Sequence, residues 1–166
     1  MSQPAAYRAA AEHAPAGVRP GMNAVRLDPG QDEVVVFLIG MRVNRWRRLR
    51  SWLPVLAAMP RMLRQLQKDP DLGLLRADLY ANGRNFVAIQ YWATSAQLYA
   101  FARAPELTHA PAWGRFNRRA AGTADVGVWH ETYVVPAEAV EARYGNMPPF
   151  GLGRAFGVAE GRVSAR

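Results

Sequence analysis

The chain has no cysteine, which removes disulfide bridges, thiolate nucleophiles and cysteine-ligated metal at once. It has no long apolar stretch either. The longest run, Val34 to Met41, is eight residues, far short of the roughly 20 that a membrane-spanning helix needs. No basic start followed by an apolar segment opens the chain, so no secretory signal is visible. His109 and His130, on different elements and without paired carboxylate spacing, do not make a zinc or non-haem iron set. Gly151-Leu-Gly153 lacks the strand before and helix after that a phosphate loop needs, so NAD and FAD are not expected. A cytoplasmic protein without a membrane span or metal is the expectation.

Acidic residues are missing from one whole segment. Between Met41 and Lys68 there are seven arginines, one lysine and no carboxylate, so this stretch alone accounts for the net charge of +8. Such a block attracts anions, a membrane surface or nucleic acid, or is simply the solvated face of a helix, which is the plainer reading. No helix-turn-helix, RRM or zinc-finger spacing accompanies it, so nucleic acid is not an expected partner.

What is present suits a folded core: 166 residues, half of them apolar and 10% aromatic. Residues 1–30, punctuated by Pro4, Pro15, Pro20 and Pro29, read as an N-terminal extension without sustained periodicity. Residues 31–136 form the expected domain, and 137–166 a C-terminal tail. Within the tail, Tyr144 to Gly153 looks too irregular for helix or strand and suits a lid or dimer strap.

Within the domain, the β-branched run from Val34 reads as a central strand to Val43, with Asn44 as the cap of a following helix. Trp46, Leu49, Leu53, Leu56, Leu63 and Leu66 recur at helical steps to Lys68, with a break expected near Ser51 and a kink at Pro60. Leu74–Ala81 and Phe86–Trp92 flank Asn82-Gly83, a strong hairpin signal. Thr94 or Ser95 caps a second helix through Arg103. A further helical stretch, Leu107–Ala121, is closed by Gly122, and a strand from Asp125 to Val135 comes last. The order βαββαβ is the ferredoxin-like split unit, an α+β fold. Helices cover one face of its sheet, and pairing sheet to sheet as a homodimer would cover the other.

Several stretches carry a resemblance: Met41-Arg-Val-Asn-Arg-Trp46, Ser51-Trp-Leu-Pro-Val-Leu-Ala-Ala-Met-Pro60, Gln90-Tyr-Trp92, His109-Ala-Pro-Ala-Trp113, Phe116-Asn-Arg118, Gly127-Val-Trp-His-Glu-Thr-Tyr133 and Tyr144-Gly-Asn-Met-Pro-Pro-Phe150. Together they resemble a bacterial and fungal family related to the monooxygenase of the fungal fumagillin pathway. That family looks like a branch of the dimeric α+β barrel superfamily. The superfamily includes cofactor-free antibiotic-biosynthesis monooxygenases, haem-degrading monooxygenases, haem-dependent aldoxime dehydratases and simple ligand binders. The resemblance implies a small organic substrate and oxygen as partners. It leaves open whether no cofactor or haem is used, since a fold does not set a function. By similarity to the haem-degrading branch, His109 takes the position of an axial ligand. That branch's Asn lies within its first strand, whereas Asn44 falls at the strand end.

The residues themselves offer a candidate site. His109 is a general base or ligand, or else caps a helical turn. Glu131, between Trp129 and Tyr133 on one strand face, is an acid or base if buried. Trp92, Tyr91, Trp113 and Trp129 line a pocket for an aromatic or polyketide-like substrate, or are core. His130 lies on an otherwise apolar strand face, and Arg42 near a strand end can hold an anionic oxygen. The expectation is a monooxygenase-like enzyme with His109, Glu131 and Trp92 as catalytic groups. Arg42, Tyr91, Trp113, His130 and Tyr133 are then the substrate contacts. A non-catalytic binding protein is the alternative.

Overall fold

A computed structural model of the chain describes residues 7, 10, 12–104 and 121–160. Residues 33–134 form one compact unit, and residues 1–32 with 135–166 a second.

The first unit carries strand β2 (Glu33–Val43), helix α1 (Leu49–Lys68), β3 (Leu74–Asn82), β4 (Asn85–Trp92), α2 (Ser95–Arg103) and most of β5 (Val126–Pro136). The four strands form one sheet in the order β3-β4-β2-β5. This is the ferredoxin-like order, in which each helical crossover skips one antiparallel neighbour. The hairpin forms where Asn-Gly signals it: Asn82 pairs with Asn85 across Gly83-Arg84. Gly83 sits at φ 56°, the conformation a type II′ turn demands of its first central residue. Thr94 caps α2, its hydroxyl accepting from the Gln97 amide at 3.1 Å. Glu33 Oε1 accepts from the Ser95 amide at 2.7 Å, adding a carboxylate to the positive end of that helix.

Helix α1 departs from the expectation in its start and in which residues of its first turns face inward, while Leu63 and Leu66 are buried as expected. Asn44 does not cap it; the Asn44 side chain donates to the Ala124 carbonyl at 2.9 Å. The helix begins at Leu49, behind an N-cap Arg48 that makes no side-chain cap bond, and runs through Pro54 and Pro60 to Lys68 without a break at Ser51. Its buried residues are Trp52, Met62, Leu63 and Leu66, while Trp46, Leu49 and Leu53 are exposed. The reason lies outside the helix. Asp125 accepts from Ser51 Oγ at 2.8 Å and from Arg45 at 2.8 Å, and its carbonyl takes the Asn44 and Arg45 amides. The chain is thereby pinned across residues 44–51, and the helix turns Trp52 inward instead of Leu53. Trp52 Nε1 then donates to the Trp46 carbonyl at 3.0 Å.

Val35, Met62, Leu63, Leu66, Trp92, Leu98 and Phe101 form the main core between sheet and helices. Met41, Val43, Trp52 and Val126 form a second cluster. Full burial of such side chains contributes about 1.5–3 kcal/mol each.

In the second unit the expectation of irregular chain fails. Strand β1 (Arg19–Val25) lies inside the supposed extension. The tail contains β6 (Arg143–Met147), the short helix α3 (Leu152–Ala155) and β7 (Val158–Glu160). They pair in the order β6-β1-β7. Pro20 and Gly21 disguise β1, because both disfavour strands and Gly21 stands at φ 86°, where the β1–β6 register shifts. Tyr144 is buried and its hydroxyl accepts from the Gly153 amide at 2.8 Å, tying the tail to itself.

Candidate functional site

Side chains alternate across a strand, and in the first unit that alternation decides which candidates meet. An apolar cavity of about 600 Å³ lies between the sheet and helices α1 and α2. Phe37, Met41, Ala88, Gln90, Trp92, Val128, His130 and Thr132 reach it from the strands, and Val55, Met59, Leu98 and Phe101 from the helices. Among the described lining residues there is no Asp, Glu, Lys or Arg. An aliphatic and aromatic wall with a few polar groups is what a small organic ligand requires.

The structure brings three of the candidates to this cavity: Trp92, Trp129 and His130. Trp92 is fully buried, its ring 5.6 Å from that of Phe101 and its indole N–H donating to Gln90 Oε1 at 3.0 Å. His130 is exposed at the cavity wall, its ring 5.8 Å from Phe37. Gln90, directly opposite Phe37 in the β2–β4 ladder, is 1% exposed. The amide nitrogen of Gln90 donates to Met59 Sδ at 3.9 Å.

Four candidates do not line the cavity. Arg42, Tyr91, Glu131 and Tyr133 sit at alternate positions, on the opposite strand face. Arg42 donates to Asn85 Oδ1 at 3.1 Å. Tyr133 is exposed and donates to Glu131 Oε2 at 2.6 Å. That bond and the carboxylate charge push the Tyr133 hydroxyl pKa up, since ionising it would forfeit the bond and place two anions together. Trp129 lies against Gly40, where a Cβ would meet the indole at 2.6 Å. Glycine is thus needed for the close approach. His109 and Trp113 lie outside the described residues.

Two residues that the sequence did not single out for a role emerge. Gln90 stood only as one letter of a motif; its signal was a lone amide alternating with the inward positions Ala88 and Trp92. Asp125 holds the turn before α1. The Ser51 hydrogen bond lowers its pKa most, burial opposes that, and Arg45 and Thr123 lower it further. Beside it, Arg45, Arg47, Arg48 and Arg50 line a shallow basic cleft with Ser51 and Thr123. Among the described residues no three His, Asp or Glu side chains are grouped to hold a metal ion. No described helix is long and apolar enough to cross a membrane.

A four-stranded sheet in ferredoxin-like order with helices α1 and α2 on its cavity side defines an α+β protein of the ferredoxin-like class. Within that class, the chain belongs to the monooxygenase af470-like family, whose model matches residues 34–152. It is 28% identical over 137 residues to monooxygenase af470 of Aspergillus fumigatus, an alignment covering 76% of this chain and 48% of that protein. The chain therefore spans about half the length of this curated relative. Among solved structures it resembles the aldoxime dehydratase OxdRE, crystallised with butyraldoxime, at TM-score 0.61 and 21% identity, over 82% of this chain and 42% of that one. A second aldoxime dehydratase structure matches at TM-score 0.60 and 21% identity, over 77% of this chain and 42% of that one. At that identity the likeness shows the fold.

Proposed function

We propose that this chain is a small monooxygenase-like oxidoreductase acting on an aromatic or polyketide-like substrate bound between sheet and helices. The observation that carries this reading is the cavity of about 600 Å³, apolar and without an ionised carboxylate, lysine or arginine among its described walls, in a chain of the monooxygenase af470-like family. Without a cofactor, the substrate itself must become a carbanion that reacts with dioxygen. That chemistry needs a base and a donor for the developing oxyanion. Of the described imidazoles, His130 lines the cavity and supplies the base. His109 is the second candidate, on the segment between α2 and β5. One dioxygen then oxidises an activated methylene to a ketone and releases one water.

Oxygen uptake by the purified protein with a panel of phenolic and enolisable ketone substrates tests this. Uptake that falls in His130→Ala supports the base assignment. A chain that binds panel members without consuming oxygen is the non-catalytic binding protein instead. The haem alternative has His109 as axial ligand: haemin would then give a shifted Soret band that His109→Ala removes. Haem would supply a redox-active iron, and the same apolar walls would hold its macrocycle.

The same reading places the protein in the cytoplasm as a homodimer. The sheet face bearing Tyr91, Trp129, Glu131 and Tyr133 is the surface to be covered. Trp129 and Tyr133 are exposed there, 40% and 49% accessible, and association would remove them from water. A monomer at micromolar concentration in analytical ultracentrifugation would remove this part.

A further inference from the structure

Most of the cavity wall makes no directional contact with a ligand, but one deeply buried side chain can. Gln90 is 1% exposed, and its amide is oriented by its neighbour two residues on. An indole nitrogen only donates. The atom 3.0 Å from Trp92 Nε1 is therefore the amide oxygen, and the NH2 group points elsewhere. That nitrogen carries two N–H bonds, and the acceptor described for it is the Met59 thioether at 3.9 Å. Thioether sulfur is a weak acceptor. A buried amide donor so poorly matched carries a desolvation cost that a ligand oxygen would offset.

We infer that Gln90 Nε2 is the polar anchor of the cavity, selecting an uncharged, largely apolar ligand through one carbonyl oxygen. Gln90 and Met59 both line the cavity, and no Lys or Arg among the described lining residues would favour an anion. Gln90 on β4 stands opposite Phe37 on β2, and the Phe37 ring is 5.8 Å from His130 on β5. Neighbouring strands are about 4.8 Å apart, so β4 and β5 are separated by about 10 Å. A ring system lying on Phe37 thus has its carbonyl at Gln90 and its far edge towards His130. Trp92 acts through Gln90, as a positioning residue that keeps the donor end of the amide turned away from the indole. The inference rests on the cavity being the substrate site and adds the group that the substrate must carry.

The test compares 1-tetralone with tetralin, the same skeleton with and without a carbonyl, by isothermal titration calorimetry on the full chain. Wild type is expected to bind tetralone about two- to tenfold more tightly, the range of one neutral hydrogen bond. Gln90→Met should remove the difference by weakening tetralone alone. Met59→Leu conserves volume and removes the competing sulfur, so the preference should persist or widen. This second variant decides the matter even if Gln90→Met does not fold. Equal affinities in wild type, a preference that survives Gln90→Met, or one lost in Met59→Leu would each overturn the assignment. Failure of both probes to bind would overturn it together with the cavity reading. Oxygen uptake is measured separately. A Gln90-dependent preference without oxygen consumption leaves the anchor standing and removes the oxygenase.

Discussion

Trp92 Nε1 donates to Gln90 Oε1 at 3.0 Å, joining two inward-facing residues of one strand, both buried to within 1%. The bond satisfies an indole that could find no water at that depth and at the same time decides which end of the amide meets the cavity. Core packing and site chemistry therefore share one interaction.

Trp92→Phe keeps an aromatic ring against Phe101 but leaves the Gln90 oxygen without this donor. A loss of about 1–3 kcal/mol is expected from the stranded acceptor and the smaller ring. Urea denaturation followed by circular dichroism measures it. Stability equal to wild type would mean that the bond contributes nothing.

Gly40→Ala places a methyl where Trp129 now lies, 2.6 Å from the indole. The expected cost is about 1–3 kcal/mol, as for other overpacked contacts. Trp129→Ala should relieve it, so a double-mutant cycle should show clear non-additivity. Additive costs would place the strain elsewhere.

The acid limb of stability should depend on Asp125. Its folded-state pKa is lowered, first by Ser51 and further by Arg45 and Thr123. The contribution is therefore fully present above the unfolded carboxylate value of about 3.9 and is lost as pH falls through the lower folded value. Asp125→Asn should flatten the fall in denaturation midpoint below about pH 4. Ser51→Ala should shift that fall to higher pH. An unchanged acid limb in both variants counts against this account.

Glu131→Gln should bring the Tyr133 hydroxyl back down towards the ordinary tyrosine value of about 10, because the bond and the charge that raise it come from Glu131. With its pKa raised in the folded state, the Tyr133 contribution is present below the unfolded value and lost as pH rises through the folded one. NMR titration of labelled tyrosine reads the shift directly. A Tyr133 curve unmoved by the substitution would remove the carboxylate as its cause.

Deleting residues 144–166 removes β7 and nearly all of β6, the two neighbours of β1. Residues 19–25 should then lose hydrogen-exchange protection, while the β2–β4 ladder within 33–134 keeps its own. Protection retained in β1 would show that it does not depend on these partners.

The order βαββαβ, the Asn-Gly hairpin and the Thr94 cap were legible because each depends on neighbours a few residues apart. Binary pattern and turn chemistry carry that information. The start of α1 was not, since Asp125 ties down residues 44–51 through bonds that span more than 70 positions. The β1–β6 pairing joins Asn23 to Tyr144, a distance no local periodicity reports. The site divided in the same way. Alternation put His130 and Glu131 on opposite faces from the sequence alone. Which face holds a cavity depends on where the helices pack, and that favours His130, Gln90 and Trp92 over Glu131, Tyr133 and Arg42. Sequence by itself determined the four strands of the first unit, the turn between β3 and β4 and the sidedness of the residues on those strands, because these are local. Tertiary structure alone decided the start of α1, the strand pairing of the terminal segments and the orientation of the Gln90 amide, because each depends on groups brought together by folding.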